Sequence, residues 1–101
     1  MALDLYAGEH REQVNLHDEQ ILQRAAAQAD RFPQLSAMWA AFYDAPRISS
    51  QQANELVHEL VLLLTLPELE SNTAIVRRGL RLAGFFSAAH RSGLDVRSVS
   101  D

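Results

Sequence analysis

The sequence predicts a mainly α fold, with about four helices packed on one core and a small β ribbon formed by an N-terminal hairpin and a C-terminal strand. Three observations lead there. Four stretches in the middle of the chain repeat apolar residues at helical spacing and are separated by proline or glycine. Only the two ends alternate apolar and polar residues with period two. With 101 residues, 48% of them hydrophobic, the chain can bury one core but not two, so residues 1–101 are read as a single helical domain.

Leu3 and Leu5 alternate with Asp4 and Tyr6; beyond Gly8-Glu9-His10, Val14 and Leu16 alternate with Gln13 and Asn15. That is the pattern of a hairpin, and because a two-stranded ribbon is marginal alone, it should lean on a helix or a third strand. The first helix is expected from Asp18 to about Asp30 on Ile21, Leu22, Ala25 and Ala29, with Asp18 and Glu19 at the positive end of its dipole. Phe32-Pro33 closes it, and Pro33 opens the second helix. There Leu35, Met38, Trp39 and Phe42 stand at i, i+3, i+4 and i+7, which makes Trp39 the expected buried anchor.

Asp44-Ala45-Pro46 stops the second helix, and Ser49 with Gln52 forms a capping box for the third. The third helix has a wide apolar side of Ala53, Leu56, Val57, Leu60, Val61, Leu63 and Leu64, leaving Glu55, His58, Glu59 and Leu62 outside. Pro67 terminates it. An acidic connection follows, in which Ser71 or Asn72 caps a fourth helix running to about Ser92, with Gly93 as its left-handed terminator. Ile75, Val76, Gly79, Leu82, Ala83, Phe86 and Ala89 form the inner face of that helix, and Gly79 and Ala83 are small enough to let another helix come close. Arg77, Arg81, Gly84, Ala88 and Arg91 form its outer face, with Arg78 at the margin. Leu94, Val96 and Val99 suggest a closing strand that joins the hairpin.

Thirteen Asp and Glu face nine Arg, lysine is absent, and the net charge is −4. Residues 1–70 hold eleven acids and four arginines, whereas residues 71–101 hold two acids and five arginines. This balance argues against nucleic acid and against anionic membranes, both of which need clustered positive charge. Without cysteine there is no zinc-thiolate site, disulfide or thiol nucleophile. Met1-Ala2-Leu3-Asp4 has neither the basic start nor the apolar run of a signal peptide, and Leu60 to Leu66 is too short to span a bilayer, so a cytoplasmic location is expected.

Few residues suggest chemistry. Glu55-x-x-His58 has the spacing of half a di-iron carboxylate site, but no second Glu-x-x-His accompanies it. His10 and His17 have no evident connection. Ser87 and His90 lack a carboxylate to orient the imidazole, and His90 is expected to cap carbonyls at its own helix end. The glycines are scattered singly, so no phosphate loop exists. The expectation is therefore no enzyme, no metal and no cofactor.

Two surface patches remain. One joins Arg77, Arg78 and Arg81 with Phe85; its alternative is that Phe85 is covered by another element or stacked under Arg81. The other gathers Asp44, Glu55, Glu59, Glu68 and Glu70 around the ends of helices two and three, with Tyr43 as an aromatic anchor. Its alternative is neutralisation by the arginines of helix four.

Four segments carry a resemblance: Leu3-Asp4-Leu5-Tyr6-Ala7-Gly8; Phe32-Pro33-Gln34-Leu35 leading to Phe42-Tyr43-Asp44; Asn54-Glu55-Leu56-Val57-His58-Glu59-Leu60; and Gly93 to Asp101. In their order the chain resembles small bacterial immunity proteins encoded beside polymorphic or contact-delivered toxins. The resemblance implies a cytoplasmic protein that binds and occludes a cognate partner, and it transfers no catalytic residue. The expected function is thus a non-enzymatic, immunity-type toxin inhibitor. A self-associating adaptor, which would be a homo-oligomer, and a small metal-dependent enzyme using Glu55 and His58 are the alternatives.

Overall fold

A computed structural model describes residues 2–15 and 18–100. Strands β1 (Leu3–Ala7) and β2 (His10–Val14) form the hairpin, and β3 (Arg97–Ser100) adds to the other edge of β1. The sheet is antiparallel in the order β2-β1-β3, with Leu3 opposite both Val14 and Ser100. Leu3, Leu5 and Ala7 of the central strand are fully buried, and Asp4 and Tyr6 are half-buried on the opposite face. The third strand expected from the C-terminal alternation is therefore present. Leu16, expected in the second arm, and His17 lie outside the described residues.

Five α-helices lie between β2 and β3: α1 (Glu19–Ala26), α2 (Pro33–Ala40), α3 (Ser50–Leu64), α4 (Pro67–Glu70) and α5 (Thr73–Arg91). The first ends earlier than expected. Gln28 O accepts from both Arg31 N and Phe32 N, and the chain turns so that Phe32 enters the core. A 3-10 turn, Phe42–Asp44, follows α2. The acidic connection itself folds into the single turn of α4, because Pro67 starts a helix readily and Leu69 can then be buried. Both anticipated caps form: Gln52 N donates to Ser49 Oγ at 3.1 Å while Ser49 N donates to Gln52 Oε1 at 2.9 Å, and Ile75 N donates to Asn72 Oδ1 at 3.2 Å.

α3 and α5 run antiparallel as the main helix pair. At one end His90 Nδ1 donates to Ser50 O at 2.9 Å, so His90 ties its helix to the start of α3 instead of capping its own carbonyls. At the other end Leu64 packs on Gly79; a Cβ there would lie 2.5 Å from Leu64 Cδ1, which explains the glycine. Phe32, Phe42 and Phe86 are the largest fully buried side chains. Trp39 is not the anchor: it is half-buried at the edge of the stripe, with its ring centroid 5.6 Å from that of Phe42. The wide apolar side expected of α3 is also narrower, since Val61 is 49% exposed. Among the described residues no helix is long and apolar enough to cross a membrane.

Candidate functional site

The polar residues divide into those the fold uses and those it leaves free. Asp18 precedes α1, and its carboxylate makes no capping bond to that helix. It accepts instead from Arg78 Nε and Arg78 Nη2, both at 2.7 Å, and from Asn15 N at 3.1 Å. This is a bidentate pair in which Asp18 is 1% exposed. Hydrogen bonding to Asp18 is the main cause that raises the Arg78 pKa above the ordinary arginine value. Arg78 also lines a groove of about 380 Å³ with Asn15, Gln20, Ile21, Asn72, Ala74 and Ile75. Because Asp18 already answers its charge, the groove offers an anion no unpaired cation among the described residues. The arginine expected at a binding surface is in this structure a tertiary brace.

Glu59 is likewise not on the surface. It is buried, and its two carboxylate oxygens accept from Gln34 N at 3.0 Å and Leu35 N at 2.9 Å. Those are the first free N–H groups of α2, whose leading residue Pro33 has none and whose N-cap Phe32 offers no side-chain acceptor. α3 thus supplies the N-terminal cap of α2. The signal was present in the sequence: Glu59 stands three residues after Leu56 and four before Leu63, on the inner stripe.

Phe85 is also buried, in edge contact with Phe86 at 5.5 Å between centroids. α5 is covered by α3 on one side and by the sheet on the other, so its inner arc is wider than a single-sided helix would have. Arg77, Arg81 and Leu80 remain exposed on α5, and Leu80, assigned to neither face in the sequence reading, is 57% exposed. Thr73, Val76, Arg77, Leu80 and Arg81 line a shallow groove there.

The acidic residues do not converge. α2 and α3 are antiparallel, since Gln34 meets Glu59 while Ala41, Pro46, Arg47 and Ile48 line a cleft with Gln52. Tyr43 and Asp44 consequently sit by the start of α3, and Glu68 and Glu70 lie past its end. The fifteen residues of α3 separate them by about 20 Å. Asp44, Glu55, Glu68 and Glu70 are exposed. The ion pairs lie elsewhere: Arg11–Asp4 at 3.6 Å, Arg47–Asp95 and Arg81–Glu12 at 3.5 Å, and Arg78–Asp18 at 2.7 Å. Among the described residues the four exposed carboxylates therefore have no ion-pair partner, and the arginines of α5 do not neutralise them. Tyr43 is 58% exposed, its ring held edge-on by Phe42 at 5.2 Å. Glu55 and His58 share the exposed side of α3, and no group of three or more acidic or histidine side chains converges on a metal-sized site among the described residues. The chain matches no protein family, no curated protein and no solved structure.

Proposed function

We propose that the chain is a non-enzymatic binding protein of the cytoplasm, an immunity-type inhibitor that occludes a cognate bacterial toxin presenting a basic surface. The observation behind this reading is the placement of charge: among the described residues Arg11, Arg47, Arg78 and Arg81 pair with Asp4, Asp95, Asp18 and Glu12, while Asp44, Glu55, Glu68 and Glu70 along the helices have no ion-pair partner. On a chain of net charge −4, these unpaired carboxylates attract a basic protein surface and speed association. The roughly 20 Å between Asp44 and the pair Glu68 and Glu70 falls within the span of an interface of ordinary size, about 800 Å² per partner. Tyr43, exposed yet braced by Phe42, supplies the rigid aromatic group that anchors such contacts. No cofactor, nucleic acid or membrane enters this reading.

The test uses the product of the adjacent reading frame. Expressed alone it should arrest growth, and coexpression of this chain should restore it. Asp44→Asn with Glu68→Gln and Glu70→Gln should slow association of the two purified proteins about tenfold at low salt and flatten its salt dependence, with the fold unchanged. No restoration of growth, or association indifferent to the triple substitution, refutes the reading.

A further inference from the structure

We infer that the C-terminal strand sets the shape of the target-binding tip: Ser100 latches the 3-10 turn Phe42–Asp44 so that Tyr43 and Asp44 are presented in one fixed arrangement. The inference rests on the inhibitor reading above, because it assigns a residue that acts through Tyr43. Residues 42–48 run antiparallel along the outer edge of β3, the edge that β1 does not use. At one end the two segments pair through backbone alone: Ile48 N donates to Val96 O at 3.0 Å, and Val96 N donates to Ile48 O at 2.7 Å. Pro46 has no N–H, so that ladder cannot continue past it. Two serine side chains take its place. Ser98 Oγ donates to Pro46 O, and Ser100 Oγ donates to Phe42 O at 3.0 Å while accepting from Ala45 N at 3.2 Å. One hydroxyl thus closes the turn across both its ends, using its donor and an acceptor site at once.

The turn needs such a latch. Ala45 ends it at φ 48° and ψ 63°, in the left-handed region, and is the one non-glycine residue with positive φ among the described residues. A Cβ disfavours that region, and a residue ahead of proline is pushed toward extended backbone. Left to itself the chain would open at Ala45, so the surrounding contacts must hold it. Phe42 fixes the start of the turn by burial in the core, whereas Tyr43, Asp44 and Ala45 are exposed and the far end is tied at Ala45 N to Ser100. A tip held in this way gives up little conformational freedom on binding, so its contacts are realised as affinity. Without the hydroxyl the tip samples other shapes, and the apparent affinity falls with the fraction that stays competent. The exposed carboxylates are untouched by that change, so the electrostatic attraction is kept.

The test uses the full chain and the purified product of the adjacent reading frame. Ser100→Ala should raise the Kd of that complex about tenfold with its salt dependence unchanged, which separates this effect from that of the triple carboxylate substitution. Ser100→Thr, which keeps the hydroxyl, should bind within about twofold of wild type. In a Tyr43→Ala background Ser100→Ala should weaken binding by less than about twofold, because the side chain through which it acts is gone; a merely structural role would add its full effect again. In the free chain, hydrogen exchange at the Ala45 amide should speed up about tenfold in Ser100→Ala, with the amides of α5 as in wild type. Absence of any complex with the wild-type chain refutes the inhibitor reading and this inference with it. A wild-type complex that Ser100→Ala leaves unchanged, a loss that Ser100→Thr shares, a loss equal with and without Tyr43, or unaltered exchange at Ala45 overturns the inference alone.

Discussion

Replacing Glu59 by alanine removes the cap of one helix by changing another, and its cost can be worked from the structure. Two backbone N–H groups lose a charged acceptor, at 3.0 Å from Gln34 and 2.9 Å from Leu35. Hydrogen bonds to charged groups contribute about 1.5–3 kcal/mol each, and a buried donor left without a partner costs about 1–3 kcal/mol. Leu35 is 1% exposed, so its N–H is the one that water reaches poorly, whereas half-buried Gln34 can regain a water. Keeping an ionised carboxylate at 8% exposure itself opposes folding, and its removal returns part of the loss. The net expectation is a destabilisation of about 2–4 kcal/mol, a large fraction of what a domain this size has. Glu59→Gln, which keeps one acceptor oxygen and turns an amide donor toward the other N–H, should fall between alanine and wild type. Urea unfolding measures this as a lower midpoint at unchanged slope, with Glu55→Ala as the exposed control within about 0.5 kcal/mol. A Glu59→Ala loss no larger than that of the control would refute the argument that α3 caps α2.

Arg78→Met should destabilise by about 2–4 kcal/mol, below the usual range for breaking a buried pair because the Arg78 side chain is 31% exposed. A double-mutant cycle with Asp18→Asn should show coupling above about 0.5 kcal/mol. The pH dependence of the Arg78 contribution follows from the raised guanidinium pKa: a cation held in the folded state stabilises fully below its ordinary pKa and fades only as pH rises through the folded value. The wild-type advantage over Arg78→Met, followed by urea unfolding, should therefore not decline from neutral to mildly alkaline pH. Phe86→Ala should cost about 3–5 kcal/mol and exceed Trp39→Ala, and the reverse order in thermal unfolding would place the tryptophan inside. Gly79→Ala should cost about 1–3 kcal/mol despite the better helix propensity of alanine, because the new methyl meets Leu64; a rise in melting temperature would contradict the tight contact.

Much of the fold was legible because it follows from local rules. The period-two ends name the three strands, the Ser49 and Gln52 pair names the start of α3, and the small Gly79 marks the close helix crossing. Of the candidate surface, Tyr43, Asp44, Glu55, Glu68 and Glu70 are exposed as the patterning suggested. Each of these properties depends on residues within a turn or two, so spacing alone carries it.

Tertiary docking alone decided the rest. Glu59 was read as surface until α2, whose bonded N–H groups lie 24 and 25 residues away, placed its unsatisfied N-terminus against it. Asp18 was read as serving its own helix, but its partner Arg78 is 60 residues distant, and a short bidentate pair outweighs a weak dipole term. Phe85 passed from the outer to the inner face when the sheet covered a second side of α5, and Trp39 moved to the margin as Phe32 and Phe86 filled the centre. Periodicity tells which side of a helix is apolar, whereas the partner of a polar group and the number of sides covered depend on which distant elements meet. That is why this sequence by itself determined its elements and most of its exposed carboxylates, and why only the packed structure decided which charges are braces and which stay unpaired.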